Sequence, residues 1–133
     1  MGLKLSRQQR QQLLDWADEA GDLECCGLLL GDDGGVHRVE RTANISGNPQ
    51  YRFEIDPTAL IRAEKQARQG GPKILGYFHS HPNGRAEPSA DDAACAADDG
   101  RYWLIIANGE ITTWLPIGGT DGQAVTFVAG GPV

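Results

Sequence analysis

The chain has 133 residues, 40% of them hydrophobic and 23% charged, with a formal net charge of −6. That balance excludes a disordered chain and suits one domain over residues 1–133 with its own core. The acidic sum with no basic cluster argues against a nucleic-acid partner, and no stretch approaches the roughly 20 apolar residues of a membrane span. The start of the chain has no apolar signal-peptide core. Three cysteines, two of them adjacent, make a poor disulfide framework. A soluble cytoplasmic protein is expected.

Ser6 followed by Gln9 has the form of a capping box, and Leu13, Leu14 and Ala17 recur at helical spacing. A first helix over residues 7 to about 20 is predicted, ending at Gly21. Cys26 to Leu30 is a short apolar run, better suited to a buried strand. Asp32-Asp33-Gly34-Gly35 is a turn, and Val36 to Asn44 should return as a paired strand. Tyr51, Phe53 and Ile55 alternate and predict another strand face. Asp56-Pro57 caps and opens a second helix, with Leu60, Ile61, Glu64 and Ala67 along one face or its edge. Gly70-Gly71-Pro72 stops that helix.

Ile74 to Phe78 reads as a central strand and Pro82 to Pro88 as irregular chain. Ser89 opens a short Ala-rich helix to about Ala97. Trp103 to Ala107 and Glu110 to Leu115 are strands joined by the hairpin signal Asn108-Gly109. Val125 to Val128 could add an edge strand, and residues 130–133 are expected to fray. This order predicts an α/β, α+β-like fold with helices packed around a mixed, partly antiparallel sheet.

The chemistry concentrates in residues 76 to 92, GYFHSHPNGRAEPSADD. His79 and His81 are two apart at a strand end, so their imidazoles project to one side. Catalytic zinc commonly takes three protein ligands and leaves one position for water. Asp92, one turn into the helix opened by Ser89, is the best third ligand. Zn2+ so held would bring the pKa of water toward about 7. Glu24, just before the first strand, could accept that water's proton if its strand neighbours the histidine strand.

Glu24 ahead of Cys-Cys-Gly-Leu-Leu-Leu-Gly, then His79-Ser-His81, seven residues from Pro82 to Pro88, and Ser89-Ala-Asp-Asp92 resemble the JAMM motif of the MPN-plus (JAB-type) metallopeptidases. The resemblance takes in Asn44 and the segment from Tyr51 to Pro57, covers residues 1 to about 117, and points to a compact prokaryotic stand-alone member. It implies an MPN/cytidine-deaminase-like architecture, with His79, His81 and Asp92 on zinc. It makes Glu24 general base and then acid, and gives Ser89 a hydrogen bond to the oxyanion or the water. It also implies a substrate: the Gly-Gly tail of a ubiquitin-like or sulfur-carrier protein, whose extended strand could lie beside an exposed sheet edge.

Ordinary roles account for the remaining candidates. His37 reads as a surface residue, and Asp91 as a solvated first-turn acid favoured by the helix dipole. Cys25, Cys26 and Cys95 read as core or near-core thiols. Trp16, Trp103 and Trp114 are expected to pack. The competing class is a non-catalytic MPN-like interaction module, whose members generally lack a metal ligand. A zinc deaminase would need a Pro-Cys-x-x-Cys element absent from this sequence.

Overall fold

The computed structural model describes residues 2–33, 35–120 and 122–133. Helix α1 (Arg7–Ala20) starts on the predicted capping box: Gln9 N–H donates to Ser6 Oγ, and Ser6 N–H donates to Gln9 Oε1. It buries Leu13 completely. Strands β1 (Cys26–Asp32) and β2 (Gly35–Thr42) pair antiparallel. Gly34, in the expected turn, lies outside the described residues.

The alternation of Tyr51, Phe53 and Ile55 does not produce a strand. Among the described residues, that segment makes one isolated bridge, Asn44 to Ile55. Asn44 captures the local hydrogen bonds instead. Its Nδ2 donates to the carbonyls of Glu24 and Arg52, and its Oδ1 accepts from the amides of Ser46 and Glu54. A side chain that binds backbone on both sides of a loop replaces the ladder a strand would need.

Helix α2 (Pro57–Arg68) begins on the Asp56 cap and buries Ala59 and Ala63. Ile61, expected along the inner face, is 65% exposed. The buried stripe therefore runs one position earlier, and small residues let the helix sit close to the sheet. Strand β3 (Lys73–Ser80) occupies the sheet centre; α3 (Ala90–Cys95) follows the irregular loop. This helix stops two residues before the expected Ala97. Strands β4 (Tyr102–Ala107), β5 (Glu110–Ile117) and β6 (Thr126–Ala129) complete one six-stranded sheet, in the order β2-β1-β3-β4-β5-β6.

Strand β3 is antiparallel to β1 and parallel to β4, and the remaining pairs are antiparallel. The α1 side buries Leu13, Leu29, Phe78, Leu104 and Ile106, while Leu28, Leu30, Ala63 and Ile74 form a second cluster under α2. Residues 130–133 do not fray. Gly130 N–H donates to the Thr113 carbonyl, Thr113 Oγ1 donates to the Gly131 carbonyl, and Val133 packs on the larger core. Cys25 and Cys26 are buried as expected, but Cys95 is exposed, because α3 ends there at the surface.

Close strand approach sets the glycine requirement. A Cβ at Gly76 would lie 2.2 Å from the Tyr102 carbonyl oxygen, inside the β3–β4 ladder, whereas one at Gly47 would meet nothing within 4 Å. Gly76→Ala should cost about 2 kcal/mol by urea denaturation. Gly47→Ala should stay within about 0.5 kcal/mol.

Candidate metal centre

The site sits where β1 hands its preceding residues to the end of β3. Cys26 pairs with His79 across the antiparallel ladder. Beyond it, the Cys25 amide donates to Ser80 Oγ and the Ser80 amide donates to the Cys25 carbonyl. Continuing that register sets Glu24 beside His81, so the strand adjacency expected from the sequence is present. The Glu24 amide also donates to the Pro49 carbonyl, which ties the acid to the loop carrying Tyr51 and Phe53.

Three side-chain atoms converge. His79 Nε2 and His81 Nε2 are 3.0 Å apart, and Asp92 Oδ2 is 3.1 Å from the first and 3.0 Å from the second. All three residues are buried. Ligands about 2.0–2.1 Å from a tetrahedral ion stand about 3.3–3.4 Å from one another. The observed triangle is only slightly tighter, so a single cation fits against all three atoms. Glu24 is also buried, and one of its oxygens shares a 4.8 Å sphere of mutual separation with both imidazoles. Asp92 is the carboxylate within hydrogen-bond distance of both imidazoles.

The proton inventory supports a cation there. His81 Nδ1 donates to the Arg85 carbonyl at 2.7 Å, which orients the ring with Nε2 toward the triangle. His79 is held by rings instead: Phe53 stacks on it at 4.2 Å, and Trp103 meets it edge-on at 5.5 Å. Its Nδ1 is buried and has no hydrogen-bond partner, as does Glu24 Oε1. Two imidazole nitrogens and a carboxylate oxygen within hydrogen-bond distance of one another form an N/O ligand set that suits a divalent metal, which would displace the shared imidazole protons on binding.

Ser89 and Asp92 form a capping box at the start of α3. The Asp92 amide donates to Ser89 Oγ, and the Ser89 amide donates to Asp92 Oδ2. The helix start therefore aims the Asp92 carboxylate, while the Ser89 hydroxyl keeps its proton free to donate. Asp91 points elsewhere and pairs with Arg52 at 3.4 Å. His37 lies remote on the surface, 3.2 Å from Asp32.

Electrostatics divide the acids. Burial pushes the Glu24 carboxyl up to about 8; His81 opposes this, and Asp92 and Asp91 add to it. Burial would also raise Asp92, but hydrogen bonds from His79 and His81 hold its carboxyl well below the usual range. Burial lowers His79. In His81 the pull of burial is overcome by the Asp92 carboxylate and the Arg85 carbonyl, so its pKa rises.

Two clefts meet here. One of about 290 Å3 opens over Glu24, Tyr51, His81, Ser89 and Asp91. The larger, about 510 Å3, lies against α1 and reaches the cluster only through His81. The chemistry belongs to the smaller one, which contains both a candidate base and a hydroxyl donor. Both lie at the end of the central strand β3. Sequence reasoning passed over Phe53 and Trp103 as supports of His79. Strand register reveals Trp103 on the histidine face, while Phe53 reaches His79 from a loop whose path depends on Asn44.

A mixed sheet carrying a buried His-x-His pair and a helix-borne aspartate beside an isolated glutamate defines a JAMM-type hydrolase. The chain belongs to the family described as prokaryotic homologs of the JAB domain, whose model matches residues 6–116. A Haloferax volcanii protein named desampylase is 32% identical over 109 residues, 77% of this chain and 78% of that protein. A Thermus thermophilus protein, named a probable TtuB-protein conjugate cleaving protease, is 33% identical over 70% of this chain and 60% of that one. Among solved structures, a protein from Desulfitobacterium hafniense superposes with TM-score 0.71 at 32% identity, covering 93% of this chain and 88% of its own. A JAB1/MPN domain protein from Archaeoglobus fulgidus shares the fold, with TM-score 0.60, 21% identity and coverage of 85% and 89%.

The raised Glu24 pKa carries a stability signature. The folded protein keeps the Glu24 proton above the ordinary carboxylate value of 4.5, so the associated stabilisation is complete below that pH and is lost as pH rises toward about 8. Glu24→Gln does not titrate. In metal-free protein held in chelator, the melting temperature of the variant relative to wild type should therefore climb between about pH 5 and about pH 8.5. A difference that stays flat across this range would show an unshifted carboxyl.

Proposed function

We infer that the chain is a zinc peptidase or isopeptidase, acting at or just after the Gly-Gly tail of a ubiquitin-like, sulfur-carrier type of protein. The observation that carries this reading is the buried convergence of His79, His81 and Asp92 within 3.1 Å of one another beside Glu24. The relatives named desampylase and TtuB-protein conjugate cleaving protease support the substrate class.

In this reading His79, His81 and Asp92 would hold the metal. When bound, zinc supplies Lewis acidity, polarising a carbonyl and making water a nucleophile near neutral pH. The chain's own groups handle the protons. Glu24 takes one from water as the oxygen bonds to the scissile carbonyl carbon, then gives it to the amine as the C–N bond breaks. Ser89, in the same cleft, donates its hydroxyl proton to the developing oxyanion or orients the water. The loop pinned by Asn44 closes one side of the cleft with Tyr51 and keeps Glu24's backbone in place.

Purified protein should carry about one zinc per chain, and chelation should abolish cleavage of a carrier extended beyond Gly-Gly. Glu24→Gln should retain the metal by elemental analysis and lose about 10²-fold or more in turnover. Full-rate cleavage by that variant would remove Glu24 from the role. Partner binding that persists unchanged in chelator, without cleavage by the zinc form, would favour the interaction module.

A further inference from the structure

Ser89 borders a second cleft, of about 410 Å3, that Glu24 does not line. Its walls are Pro88, Ala93, Trp114, Val125 and Phe127, with the exposed Glu87 at the rim. The apolar wall follows from strand register. Trp103 faces Trp114 across β4–β5, and Phe127 faces Pro116 across β5–β6. Opposed residues share a sheet face, so an aromatic row runs from the His79 side outward to β6. Phe127 closes on Trp103 at 5.5 Å.

The segment leading into β6 is anchored where it crosses α3. The Val125 amide donates to the Ala93 carbonyl, and the Gly118 amide donates to Asp98 Oδ2. Val125 and Phe127 lie beyond residue 116, where the family match ends. The C-terminal segment therefore supplies Val125 and Phe127 to this wall.

We propose that this cleft is the subsite for the side chain of the first residue beyond the Gly-Gly tail, selecting an apolar stem with a cationic tip, as in Arg or Lys. The inference rests on the function read above. Two glycines on the acyl side bring no side chain past Ser89, so the first one available to an adjacent apolar wall lies on the leaving-group side. Trp114, Val125 and Phe127 would cover its methylenes, and the Glu87 carboxylate at the rim complements a positive end.

The probes are twelve-residue peptides with a central Gly-Gly-X, where X is Arg, Leu, Ser or Glu. They are cleaved by the zinc-loaded full chain and compared by kcat/KM. Leu should exceed Ser by about tenfold, Arg should exceed Leu, and Glu should be poorest. Phe127→Ser should bring the Leu-to-Ser ratio toward one, and Phe127→Leu should restore it. Glu87→Gln should erase the advantage of Arg over Leu. A loss of fold would lower all peptides together and leave these ratios unchanged.

A second measurement needs no turnover. Titrating metal-free protein with Arg-Ala-Ala-Ala or Leu-Ala-Ala-Ala should shift the Trp114 indole N–H resonance, and Ser-Ala-Ala-Ala should not. Cleavage that ignores X, or equal indole responses to all tetrapeptides, would overturn the subsite while leaving the hydrolase reading intact. A selective indole response with neither a Gly-Gly-X peptide nor a carrier-protein conjugate cut would instead sink the hydrolase reading.

Discussion

The antiparallel pairing of β1 with β3 is the constraint on which the rest of the site depends. It sets Cys26 opposite His79 and delivers Glu24 to the strand end that carries His81. A register error of one residue would send both imidazoles to the opposite face. Close packing holds the register. Gly76 leaves no space beside Tyr102, and Gly27 leaves none between the Glu40 carbonyl and the Phe78 ring. Backbone sterics within the sheet thereby fix where the catalytic-type side chains stand.

On that frame the two carboxylates acquire opposite characters. Asp92 accepts hydrogen bonds at Oδ2 from the Ser89 amide and lies within reach of both imidazoles, which keeps it ionised despite burial. Glu24 is buried with an unpartnered oxygen, so its carboxyl favours the protonated form. Two acids pushed apart in this way suit different tasks, one holding a cation and one moving a proton. The same short helix start supplies both the Asp92 geometry and the Ser89 hydroxyl. Its capping box is thus a structural device and part of the site at once.

The imidazoles are supported in unlike ways. His81 is oriented by a hydrogen bond to the Arg85 carbonyl, within the irregular loop. His79 is clamped between Phe53 and Trp103. The Phe53 loop is in turn welded to Glu24 through Asn44 and the Pro49 carbonyl. A disturbance of that loop would reach the acid and one imidazole together. The aromatic row that begins at Trp103 continues to Phe127, so the support of His79 is physically continuous with the C-terminal wall beside Ser89.

Local chemistry made much of this legible in the sequence. The caps at Ser6, Asp56 and Ser89, the Asn108-Gly109 hairpin and the central apolar run all depend on neighbouring residues alone, and all appear where expected. The spacing of His79, His81, Ser89 and Asp92 was readable for the same reason, since a strand end and a helix start are short-range structures. What failed depended on distant partners. Tyr51 to Ile55 alternates like a strand but is claimed by Asn44; Cys95 looks like core but ends a helix at the surface; and the tail is held by Thr113. The sequence by itself determined which side chains could bind a cation. Only the tertiary structure decided that Glu24, 55 residues before His79, would stand beside them, because strand order and register are set by packing across the whole sheet.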